Sequence, residues 1–242
     1  MSLNWSWMNY AVQVCGWALG LPLELLVVSV LLRGGYRRFP LLFIYTIASF
    51  LTTVIEIPFV IFYRRTGDPQ ALAKAARVYW INEWIMQFLV FALVISLIYQ
   101  ATIALRSRRI VRAALILGAV LFAGTTFAIH YRPGPKFGLW MTPWAAKLNF
   151  GSAILDLALW AMLLAAREKD RRVLMLSGAL GLQFTGGAIG ESIRSLSTRN
   201  QSHALAFGGD IVVMLANLLC LYVWWQTFRA PRTRGGIPAA AK

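Results

Sequence analysis

Acidic residues are scarce in this 242-residue chain, with nine Asp and Glu against 24 Lys and Arg and a net charge of +15. Cysteine and histidine are rarer still, with two of each. Two histidines fall short of the roughly three ligands that a membrane zinc hydrolase needs. No metal site is therefore expected, and His130 and His203, both at expected helix ends, stand only as weak metal candidates or as axial ligands of a haem between the fourth and seventh apolar runs. Cys15 and Cys220 lie inside apolar runs, where they read as small packing residues rather than a disulfide or a metal site. The last apolar run, residues 204–228, contains no lysine, which excludes a retinal Schiff base there, and no other cofactor is expected. A hormone-receptor-like protein would carry Asp-Arg-Tyr and Asn-Pro-x-x-Tyr where this chain reads YQATIALR and ANLLCLYVWW. Fingerprints of the G-x-S-x-G, H-E-x-x-H, P-loop and dinucleotide kinds are missing as well.

Apolar residues are what the chain has in abundance. They make up 59% of it, and its mean hydropathy is +0.62, whereas soluble domains run nearer to half apolar. Apolar runs of about 18 residues or more mark helices that cross a hydrocarbon core about 30 Å thick. Seven such runs occur, at about 8–32, 40–63, 78–104, 111–130, 146–166, 173–194 and 204–228. The expected fold is an all-α integral membrane protein, a seven-transmembrane-helix bundle. Residues 1–230 form its single transmembrane domain, and 231–242 form a short, disordered basic tail.

The placement of the basic residues argues against nucleic acid as a partner. All of them fall in loops, tails or the outermost turn of a run. The first, third and fifth loops and the C-terminal tail hold fifteen of the 24, which favours an outside N-terminus and a cytoplasmic C-terminus. MSLNWSW carries no positive charge, whereas RGGYRRF follows the first run directly. That run also lacks a basic n-region and a small-residue cleavage site, so it reads as a retained helix rather than a signal peptide. The expected location is the plasma (inner) membrane, with the cytoplasmic arginines on anionic lipid headgroups at roughly 1 kcal/mol each. Two Asn-x-Ser sequons, at Asn4 and Asn200, fall on the expected outer side.

Two loops are longer than the rest. Residues 64–77 begin with turn chemistry at Gly67-Asp68-Pro69 and end as an extra helical turn. Residues 131–145 (YRPGPKFGLWMTPWA) hold enough Pro and Gly to exclude a regular helix, and read as an aromatic segment in the outer interface. Trp5, Trp7, Trp80, Trp84, Trp140 and Trp144 are expected on that same side, as an aromatic belt or a lid.

Six of the nine acids lie within the runs: Glu24, Glu56, Glu83, Asp156, Glu191 and Asp210. An acid at the bilayer centre costs about 2.5–3.5 kcal/mol on insertion scales, so it faces protein or water. Polar neighbours at helical spacing agree. Tyr45, Ser49, Thr52 and Glu56 share one face, as do Gln13, Gly20 and Glu24; Glu83 and Gln87; Asn149, Ser152 and Asp156; and Asp210 and Asn217. In the sixth run Gln183, Gly187, Glu191 and Arg194 share a side, and Gly186 and Gly190 form a GxxxG step for close helix approach. Glu191 and Arg194 are spaced to pair on the helix surface. Glu24 follows Pro22, whose missing N–H leaves a carbonyl free nearby. The expected ligand or ion pathway is therefore Glu24, Glu56, Glu83, Gln87, Asp156, Glu191, Asp210 and Asn217, with Arg77 and Arg194 as charge partners.

A polar bundle interior of this kind suits binding or translocation of a small solute, a cation or a proton. A sensor, receptor or accessory subunit with a membrane protein partner is the alternative, and an intramembrane lipid-modifying enzyme is the third. The acids at 24, 56 and 83 also recur at 156, 191 and 210 with similar offsets, as two parallel three-helix units joined by the fourth run would give. Pro22 and Pro58 have no counterparts in the second set.

Overall fold

The computed structural model describes residues 5–66, 69–101, 108–130, 137–165, 171–200 and 202–229. These residues form seven α-helices and no strand: α1 (Trp5–Val30), α2 (Pro40–Thr66), α3 (Pro69–Ala101), α4 (Arg108–His130), α5 (Phe137–Ala165), α6 (Arg171–Asn200) and α7 (His203–Arg229). Five stretches are long and apolar enough to cross a membrane: Tyr10–Gly35, Pro40–Phe62, Arg77–Ala101, Arg171–Arg194 and His203–Arg229. In α4 the apolar stretch is shorter, Ile116–Ile129. Outward-facing apolar side chains fit a multi-pass membrane protein, since Leu157 is 72% exposed and Phe150 64%.

Helix ends follow local chemistry. Pro40 and Pro69 each stand at the first helical position, where an N–H has no intrahelical partner to lose. α1 continues into a π-helical turn, Leu31–Gly35, in which Gly34 takes a φ of 122°, open to glycine and costly for other residues. The Tyr36 N–H donates to Leu31 O at 2.9 Å and the Phe39 N–H to Gly35 O at 3.0 Å, which closes the connection to α2. At the other long loop the structure corrects the sequence reading. α5 begins at Phe137 and carries Pro143 in its second turn, so the residues from 137 onward are helical. One proline this near a helix start removes a single hydrogen bond, and the rest of the stretch continues the ladder.

Six helices close a ring in the order α1–α2–α3–α5–α6–α7, with α7 returning to α1. α4 lies outside it, against α5 and α3. α6 and α7 make the closest pair, and their antiparallel register is legible in contacts: the Trp224 indole N–H donates to Leu176 O at 3.4 Å, Cys220 Sγ to Gln183 Oε1 at 3.5 Å, and Arg194 Nε to Asp210 Oδ1 at 2.8 Å. Between these contacts, a Cβ built on Gly186 would collide with Ala216, and one on Gly190 with Val213. The GxxxG step is thus the place where α7 approaches α6.

The apolar core gathers in one half of the ring. Val27, Leu31, Leu42, Val94, Leu159, Leu176 and Trp224, from six helices, are each at most 1% exposed. This is the half that contains the ends of α1, α3, α5 and α7 and the starts of α2 and α6. The opposite half holds Gln13, Glu56, Asn82, Arg194 and Asp210.

Candidate functional site

Four of the six acids within the apolar runs are held by the next or preceding helix in sequence. Ser49 Oγ of α2 donates to Glu24 Oε1 of α1 at 2.5 Å, and Asn82 Nδ2 of α3 donates to Glu56 Oε1 of α2 at 2.9 Å. Ser177 Oγ of α6 donates to Asp156 Oδ1 of α5 at 2.7 Å. Arg194 of α6 pairs with Asp210 of α7, Nη2 to Oδ1 at 2.6 Å. Each of the pairs α1–α2, α2–α3, α5–α6 and α6–α7 is therefore joined through a carboxylate. In two of these pairs, Glu24–Ser49 and Asp156–Ser177, the donor is a serine hydroxyl. Both acids are 3% exposed.

Between the two buried acids lies a polar layer. The Gln183 amide donates to the Tyr45 hydroxyl at 3.2 Å, and Cys220 reaches the same glutamine. Tyr45 meets Trp224 edge to face, with ring centroids 5.7 Å apart. Glu83 accepts from Gln87 Nε2 at 2.8 Å, one turn along α3.

A cavity of about 420 Å³ enters the polar half among α1, α2, α6 and α7. Contacts of Gly16 with Met214 and of Gly20 with Leu218 show that α1 and α7 run parallel here. Gln13, Arg194 and Asp210 form the rim, Trp17, Met214 and Asn217 line the shaft, and Glu24 closes the floor. From Gln13 to Glu24 the helix rises about 16 Å at 1.5 Å per residue. Gln13 is exposed and Gly20 and Glu24 are buried, so the opening is at the rim. Glu24 Oε2 has no hydrogen-bond partner among the described residues. A buried acceptor without a donor costs about 1–3 kcal/mol.

A second hollow, about 520 Å³, lies between α5 and α6. Its walls are apolar and outward-facing, among them Phe150, Ile154, Leu157 and Leu182, and Asp156 lies at its base.

Of the expected pathway, Glu24, Asp210 and Asn217 thus line the first cavity at different depths, with Arg194 at its rim. Asp156 lies at the second hollow, and Glu56, Glu83 and Gln87 lie on the α2–α3 side. Arg77 is exposed on α3 and His203 on α7. The side chains of Glu191 and His130 lie outside the described residues. Among the described residues no three His, Cys, Asp or Glu gather as a metal site would require. Asn82, Ser177, Thr53 and Trp17 are site residues that the sequence reading missed. Asn82 and Ser177 find their partners through the register between two helices, and Thr53 and Trp17 line the cavity. No protein family, curated protein or solved structure matches the chain.

Proposed function

We propose that this chain is a carrier in the plasma (inner) membrane, a seven-span bundle with its N-terminus outside and its C-terminus cytoplasmic. It binds a small solute, a cation or a proton in the α1–α7 cavity and releases it on the other side. The single observation that carries this reading is the cavity that runs along α1 from Gln13 to Glu24, with Arg194, Asp210 and Asn217 in its lining. Below Glu24, Val27 and Leu31 are 0% exposed, so the shaft stops at packed apolar side chains. A channel needs a continuous path, whereas a carrier in one of its states has a path to one side only. The cytoplasmic arginines meet anionic headgroups in this reading.

A sensor or accessory subunit would use the same cavity without flux. The α5–α6 hollow favours a further reading, an intramembrane enzyme acting on lipid, because its outward-facing walls would let a chain enter sideways toward Asp156.

Reconstitution into liposomes separates these readings. A mixture of small amines, amino acids, sugars and inorganic cations is offered outside, and uptake is read by mass spectrometry and a trapped pH dye. Gly20→Leu is the control, since a Cβ at Gly20 meets only Leu218 Cδ2 at 4.0 Å and the added side chain can occupy the shaft. Uptake by the natural chain, abolished in folded Gly20→Leu, supports the carrier. Uptake that ignores the filling would place the path elsewhere, and binding without uptake would favour the sensor.

A further inference from the structure

The hollow between α5 and α6 holds a carboxylate that the α1–α7 cavity does not use. Asp156 is buried, and its two oxygens face different surroundings. Oδ1 accepts the bond from Ser177, a fully buried serine that is no part of the hollow's wall. Oδ2 stands over Gly181, which does line the hollow: a Cβ built on that glycine would lie 3.3 Å from it. Among the described residues nothing donates to Oδ2. Nor is it one of the partnerless atoms closed off from the surface, which are Glu24 Oε2, Gln87 Oε1 and Gln100 Oε1. Oδ2 therefore keeps accessible surface, on the side where Gly181 carries no side chain. Gly178, one turn along, leaves the Trp160 indole bare in the same way, since a Cβ there would lie 3.4 Å from its Cζ2.

Depth and wall chemistry restrict what reaches that oxygen. The apolar stretch of α6 ends at Arg171 and Arg194, and Gly181 lies about 15 and 20 Å from these ends at 1.5 Å per residue. In a hydrocarbon core about 30 Å thick that is near the midplane. Phe150, Leu157, Trp160 and Leu182 of the wall are exposed, so the hollow is entered from the lipid side. A lipid headgroup does not reach this depth, and an acyl chain has no polar group to offer Oδ2. An ammonium ion would have to leave water and cross hydrocarbon to arrive by this route, at high cost. A neutral hydroxyl compound dissolves in the bilayer instead. Its O–H both donates and accepts, so it pairs with Oδ2 whether or not that oxygen carries a proton. Phe150 and Trp160 favour an aromatic body over a purely aliphatic one.

We propose that the α5–α6 hollow binds a neutral, membrane-dissolved phenol, with its ring beside Trp160 and its hydroxyl on Asp156 Oδ2. This site is separate from the carrier reading, because the hollow and the α1–α7 cavity share no lining residue.

Photo-crosslinking to the full chain in nanodiscs tests the proposal. A 4-alkylphenol with a diazirine in its chain and the methyl ether of the same compound differ only in the hydroxyl, and their adducts are mapped by peptide mass spectrometry. The phenol is expected to label residues 150–160 and 178–185 about fivefold or more over the ether, as one added hydrogen bond gives. Unlabelled 4-hexylphenol should suppress that labelling, and 4-hexylanisole should not. Asp156→Leu is expected to bring the phenol down to the level of the ether, and so is Gly181→Ala, whose methyl would cover Oδ2. Equal labelling by phenol and ether would make the hollow a groove for acyl chains and overturn the proposal. Stronger labelling by the matching 4-alkylbenzylamine would assign the site to cations and overturn it too, as would phenol labelling undiminished in folded Asp156→Leu. Should Asp156→Leu fail to fold, the phenol–ether comparison on the natural chain decides the matter.

Discussion

Alanine at Gly190 should loosen the contact between α6 and α7 on which the rim of the cavity rests. A Cβ at that position would overlap Val213 Cγ2 and lie 2.9 Å from the carbonyl oxygen of Gly209. The valine can turn, but the carbonyl is backbone, and a Cβ on Gly209 would in turn lie 2.8 Å from Gly190 O. The two helices must therefore separate to admit the methyl group. Overpacking of a tight contact costs about 1–3 kcal/mol, and the upper half of that range is expected where backbone is the obstacle. Gly186→Ala should cost at least as much, because its obstacle is the Ala216 Cβ, which has no rotamer and moves only with the backbone. Gly118→Ala is the control: a Cβ there meets nothing within 4 Å, and alanine is a better helix former by roughly 0.5–1 kcal/mol. Thermal unfolding in detergent, followed by helical circular dichroism, ranks the three variants. Pairing Gly186→Ala with Ala216→Gly should recover most of the loss, since the two positions share one space. If Gly190→Ala melts with Gly118→Ala, or if the double variant shows no recovery, α6 and α7 do not meet through these glycines.

Other outcomes follow from the same contacts. The side chains of Arg194 and Asp210 are 38% and 32% exposed, so Arg194→Ala should cost only about 0.2–1 kcal/mol, less at high salt; a larger, salt-independent loss in denaturation would contradict a partly solvated pair. Ser177→Ala should cost about 1–3 kcal/mol by stripping Asp156 of its donor, whereas Ser29→Ala, an exposed bond to Leu26 O, should stay within about 0.5 kcal/mol. Equal melting of these two variants would show that the Asp156–Ser177 bond carries no weight. Trp224→Ala, which removes a side chain 1% exposed and the ring packed on Tyr45, should cost about 3–5 kcal/mol, read by the same melts. A reporter fused after Lys242 should be cytoplasmic, because fifteen of the 24 basic residues fall on that side; an external reporter would reverse every assignment of side.

Much of this architecture was legible because bilayer crossing imposes a crude requirement, a long apolar run, that composition alone reveals. The runs became helices, and α1, α2, α3, α6 and α7 met the length and apolarity that crossing requires. Where turn chemistry had to be weighed, the reading slipped. Pro143 and Gly138 suggested an irregular segment, yet the helix absorbed both, since proline near a helix start forfeits little. The inward aim of Glu24 and Asp156 was legible from their polar helical neighbours, and both acids are buried. Their partners were less so. Ser49 stood on the polar stripe of α2, but nothing in the order of residues joins it to Glu24, and Ser177 carried no signal at all. Such pairs depend on how far one helix slides against the next, which is set by packing, as at Gly186 and Ala216. The cavity was equally hidden, because it arises where Gly16 and Gly20 leave space between α1 and α7.

Cysteine labelling tests the one-ended cavity most directly. In a Cys15→Ser background, Asn217→Cys places a thiol in the shaft and Leu97→Cys places one in the packed half, where Leu97 is 1% exposed. A membrane-impermeant maleimide added to either face of sealed vesicles should label Asn217→Cys from the outer face alone and leave Leu97→Cys unlabelled. Labelling of Asn217→Cys from both faces at similar rates would mean a continuous pore, and labelling from neither would mean a dry interior; either result contradicts the account.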